Sequence, residues 1–148
     1  MPAGSKQVLG PIVADITPAR ATNAVNVKVA APATSTVVVG APTLDLTYSG
    51  TVAAGPKPMR VFAQLVDDKT GVVIGNQITP IKVTLDGASH TTSVPLEMIS
   101  FSFEPGTSVT LQLVATTGAY AVPRLGGSVD FTKAHVELPV VTGLTRGA

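Results

Sequence analysis

His90 and His135 are the only two histidines in this 148-residue chain, and there is no cysteine. These residues bound the chemistry the chain can do. A serine hydrolase displays its nucleophile on a Gly-x-Ser-x-Gly elbow. The nearest approaches here, Tyr48-Ser-Gly50 and Gly126-Gly-Ser128, lack the flanking pattern. His90 follows Asp86-Gly87 and reads as a solvated residue at a strand start, and His135 alternates with Ala134 and Val136, so it should point outward. Two histidines with no carboxylate cluster nearby are too few for a typical zinc site.

Asp67 and Asp68 are the remaining candidates for a metal, because hard cations take oxygen ligands. Calcium would need further carboxylates or amides, and only Asn76 is close in sequence, so the pair reads as a polar hairpin tip. Glu97 and Glu104 fall on a loop and at a turn, with no aromatic pocket to raise the pKa of either as an acid–base pair would need. Sugar platforms use aromatic faces, and the chain has no tryptophan. Tyr48 alternates with Leu44 and Leu46 and reads as core. Tyr120, in the loop-like Thr117–Pro123, is the one exposed ligand candidate. No cofactor is implied by any of these residues.

The elements that would position them are short strands. Gly40–Tyr48, Met59–Asp68 and Ser108–Val114 carry apolar residues at every second position. That is the period of a strand with one buried and one wet face. Asp67-Asp-Lys-Thr-Gly71 separates two apolar runs as a hairpin would. Asp86-Gly87, between Ile81–Leu85 and His90–Leu96, is the dipeptide of a type I′ hairpin with glycine at positive φ. Ser128–Phe131 and Ala134–Leu138 supply a last strand or pair, and no stretch keeps helical spacing. The expectation is an all-β chain of eight or nine strands, a two-sheet jelly-roll β-sandwich. Residues 1–24 read as a linker or irregular arm, 25–140 as the sandwich, and 141–148 as a tail.

Charged residues make up 13% of the chain and the net charge is +1. There is no basic stripe for nucleic acid and no apolar run near the roughly 20 residues that span a bilayer. Met1–Lys6 lacks the apolar stretch of a signal peptide. So little charge leaves much of the surface neutral, which suits a face that is covered by something else. Val37-Val38-Val39 places valine on both sides of one strand and is the candidate interface, with Thr110 and Gln112 expected on an outward face.

Three stretches together carry a resemblance: Gly40–Gly50, Val61–Gly71 and Gly75–Gly87, continued through Val94–Glu97, Pro105-Gly106 and Leu111–Leu113. They resemble the C-terminal domain of actinobacterial Xaa-Pro dipeptidyl-peptidase-like (cocaine-esterase-like) hydrolases, over about residues 23–140. The resemblance implies a galactose-binding-like jelly roll that packs against an α/β-hydrolase domain and helps shape its substrate entrance. In that family the serine triad belongs to the other domain, and none of its residues has a counterpart here. A non-catalytic domain of a secreted or envelope-associated hydrolase is the resulting expectation. Its partner would be the catalytic domain of the same polypeptide or another copy of itself. The alternatives are a free-standing carbohydrate-binding or adhesion module and a self-assembling structural subunit.

Overall fold

The computed structural model describes residues 24–29, 33–52, 57–114 and 127–141. Most of the expected arm and tail, and Tyr120, lie outside them. Among the described residues all regular structure is β. The strands are β1 (Val25–Val29), β2 (Thr36–Gly40), β3 (Thr43–Val52), β4 (Lys57–Asp67), β5 (Val72–Leu85), β6 (His90–Pro95), β7 (Ile99–Phe103), β8 (Val109–Val114), β9 (Gly127–Glu137) and β10 (Val140–Val141). The final strand therefore extends one residue into the expected tail.

The strands form a four-stranded sheet, β1-β8-β4-β5, and two three-stranded sheets, β10-β2-β7 and β6-β3-β9. All pairings are antiparallel. The two smaller sheets are successive halves of the same three chain segments. β2 continues into β3, β6 into β7 and β9 into β10, and the order across the sheet is the same in both halves. The bend falls at Pro42, Leu96 and Pro139. Proline has no N–H to offer a ladder, but its carbonyl still accepts. The Leu96 N–H donates to the Pro42 carbonyl at 2.7 Å, and the Val39 N–H donates to that of Pro139 at 3.1 Å.

One core fills the space between the four-stranded sheet and this bent sheet, giving a β-sandwich. Val38, Leu44, Leu46, Ile81, Val83, Phe103, Val109 and Leu111 are all buried in it and come from both sides. The even positions of β3 enter the core and the odd ones face out, as the alternation predicts. Truncating a side chain as enclosed as Leu111 to alanine costs about 2–5 kcal/mol.

The four-stranded sheet departs from that simple pattern. Its other face is also buried, around Phe62, Val66, Val73, Ile78 and Val114, with Ala24 packed against them. Every residue of β8 is consequently buried, including Thr110 and Gln112, which were expected to face water. Strand alternation reports two faces; it does not report whether the second is wet.

Two turns also separate. Asp67–Gly71 closes the β4–β5 hairpin as expected, with Asp67 paired to Val72 and the Gly71 N–H donating to the Asp67 carbonyl at 2.8 Å. Asp86-Gly87 does not close a hairpin. Gly87 has the positive φ that was expected, 83°, but β5 pairs with β4 while β6 pairs with β3. The dipeptide is a corner that carries the chain from one sheet to the other. It is fixed by a bridge from Asp86 to Thr51 and by the Gly87 N–H donating to the Gly50 carbonyl. The last strand signals merge into β9, which slips register opposite Thr47 and Tyr48.

Candidate functional site

The two aspartates proposed from sequence as metal ligands are adjacent but do different work. Asp67 closes its own turn, accepting from the Lys69 N–H at 3.1 Å and from the Thr70 hydroxyl at 3.0 Å. Asp68 turns toward β1 and β8. It accepts from Lys28 Nζ at 2.6 Å, Ser108 Oγ at 2.5 Å and Thr110 Oγ1 at 2.7 Å. Burial works against its charge, but the bonds from Lys28, Ser108 and Thr110, with the Lys28 charge, outweigh it. They hold the Asp68 carboxyl well below the usual carboxylate range. The positive charge beside Asp68 is thus an ammonium group. Among the described residues no three His, Cys, Asp or Glu side chains converge as metal ligands would.

Beside this cluster runs a row of amides. Asn26, Gln112 and Gln64 stand opposite one another on β1, β8 and β4. Gln64 Nε2 donates to Gln112 Oε1 at 2.8 Å, and Gln112 Nε2 donates to Asn26 Oδ1 at 2.8 Å. The two glutamines are buried, and Gln112 completely so. Hydrogen bonding is the condition on which such groups enter an apolar layer.

The histidines are far apart in role. His90 is half-buried at the Asp86 corner, its Nε2 2.8 Å from Asp86 Oδ1, and its ring stacks on Tyr48 with centroids 5.6 Å apart. Asp86 is held below its usual range chiefly by the His90 hydrogen bond, aided by the Ala88 N–H. Tyr48 lies in the core, as expected, and its hydroxyl accepts from the Thr84 N–H at 3.0 Å. His135 is exposed on β9 opposite Asp45. Glu97 and Glu104 are exposed, and Glu104 accepts from the Ser35 hydroxyl at 2.5 Å. The side chain of Asn76 lies outside the described residues.

The candidate interface divides by strand parity. Val38 is fully buried, so it belongs to the core and not to any docking surface. Val37 is half-buried, and Val39 is 46% exposed. Ser102 and Ser100 stand opposite these two on β7, and Val141 stands opposite Val37 on β10. None of the three strands of this sheet contains a charged residue. Of the five large apolar side chains exposed among the described residues, four lie on or beside it: Val39, Val140, Met98 at 69% exposure, and Val72. Val72 lines an open groove of about 360 Å³ with Ser100 and Phe101. The outer face of β6-β3-β9 is different. It presents Thr47, Thr91 and Ser93 beside Asp45, Lys133 and Glu137.

Sequence reasoning reached Asp67, Asp68 and the valines but missed Lys28, Ser108, Asn26, Gln64, Met98 and Val140. The available signal was the polar parity of Asn26 and Lys28 in β1 and of Thr110 and Gln112 in β8, which puts them all on one face. No protein-family model matches the chain, and no curated protein matches it.

Proposed function

We propose that this chain is a non-catalytic jelly-roll domain of an Xaa-Pro dipeptidyl-peptidase-like serine hydrolase, docking on the catalytic domain through the β10-β2-β7 sheet. The observation that carries the reading is that sheet: uncharged along its strands, with Val39 exposed on its outer side and Met98 exposed just before β7. An uncharged sheet with exposed apolar side chains on and beside it, next to a sheet dressed in threonine and charge, favours a covered surface.

The winding supports the jelly-roll half of the reading. Pairings nest outward from the β4–β5 hairpin: β3 with β6 and β2 with β7 enclose it, and β1 with β8 encloses those. A chain folded in half and then rolled into two sheets produces that nesting. In this reading the reacting groups belong to the partner. The domain would then border the substrate entrance without taking part in the reaction. An uncharged face does not repel its own copy, so self-association is the second reading.

The reading frame upstream of the Met1 codon tests this. A contiguous frame encoding a Gly-x-Ser-x-Gly elbow supports it. A frame that encodes no hydrolase domain contradicts it.

A further inference from the structure

β1 is the edge strand of the four-stranded sheet, and none of its residues is fully buried. Val27 and Val29 reach the main core only in part. The strand it covers is the opposite, since all of β8 is buried. An edge strand so lightly packed has little hydrophobic hold on its neighbour. What it has is polar. From its outer face Asn26 takes the Gln112 amide, and Lys28 reaches Asp68 at 2.6 Å and Ser108 at 3.3 Å. These contacts fall on alternate residues of a five-pair ladder, Val25 with Leu113 through Val29 with Val109. A slip of one residue would set valines against the glutamine and the aspartate.

We infer that β1 is a separately opening strand, latched to the sandwich by Lys28–Asp68 and by the Asn26–Gln112–Gln64 amide row. The latch fixes its register and keeps the β8 edge closed. An open β8 edge would be a template for pairing with another chain. The charge-assisted pair is the stronger element. The Lys28 side chain is 70% exposed and that of Asp68 15%, so the latch can part without first breaking the core.

Hydrogen–deuterium exchange of the full chain, comparing wild type with Lys28→Met, tests this. Lys28→Met keeps the apolar stem and removes the charge. The amides of Val25–Val29 that pair with β8 should exchange at least about tenfold faster. Those between β3 and β9 should keep their protection. Lys28→Arg, which keeps the charge, should restore slow exchange. Faster exchange spread evenly over all strands overturns the inference, as does unchanged exchange in β1.

Discussion

Lys28 and Asp68, forty residues apart in sequence, meet with Nζ 2.6 Å from Oδ2, so the tip of the β4–β5 hairpin is tied to the sheet's outer strand. Ser108 and Thr110 complete the carboxylate's shell from β8. The contact links the Asp67–Gly71 turn, which sequence identified, with β1, whose partners it did not.

That shell makes acid stability a direct readout. A carboxylate whose folded pKa is depressed contributes stability above its unfolded value, near 4, and loses it as pH falls toward the folded value. Asp68 and Asp86 are both depressed. The melting temperature should therefore be flat from neutral pH down to about 5 and fall below about 4. Asp68→Asn should cost about 1–3 kcal/mol at neutral pH and flatten the acid limb. Thermal melts from pH 2 to 7 check this; a parallel drop in both proteins would contradict it.

Gly50 should tolerate no side chain. A Cβ there would strike the Ser128 carbonyl oxygen and come within 2.9 Å of the Leu85 side chain, and a backbone atom cannot swing away. Gly50→Ala should lower stability by about 1–3 kcal/mol or more. Denaturant titration reads the change as a shift in midpoint.

Gly87→Val should also destabilise, for a different reason. The space around Gly87 is open, with Thr51 Cγ2 3.7 Å from an added Cβ, but its φ is 83°. A β-branched residue there costs about 1–3 kcal/mol of backbone strain. An unchanged melting temperature would show that the corner relaxes.

The alternation within β3 and the Asp67–Gly71 turn were legible because both are local: side-chain period, and polar residues closed by glycine. The Asp86-Gly87 corner was half legible. Positive φ is a local property, but the same dipeptide serves a hairpin or a crossover, and the choice depended on β3 lying beside β6. Gln112 was misassigned, and Gln64 overlooked, for a related reason. Two buried amides that satisfy each other look, one at a time, like two solvated residues. Val38 shows the limit for the interface, since a run of three valines does not say which one the core takes.

Val38 and Val39 give the sharpest contrast between neighbours. Val38→Lys places an unpaired ammonium in the core and should cost several kcal/mol or prevent folding. Val39→Lys, on the exposed side, should fold with a melting temperature within a few degrees of wild type. Circular dichroism melts of both variants distinguish the faces; equal damage would mean that β2 is buried on both sides.

The docking face is the centre of the account, and Val39→Lys tests it most directly once that variant is shown to be folded. Isothermal titration of the chain into the hydrolase catalytic domain proposed as its partner should give one-to-one binding for wild type. The same titration with Val39→Lys should lose at least about tenfold in affinity, as expected for a charge forced into an apolar contact. No binding by wild type, or equal binding by Val39→Lys, would contradict the assignment of the β10-β2-β7 sheet as the docking surface.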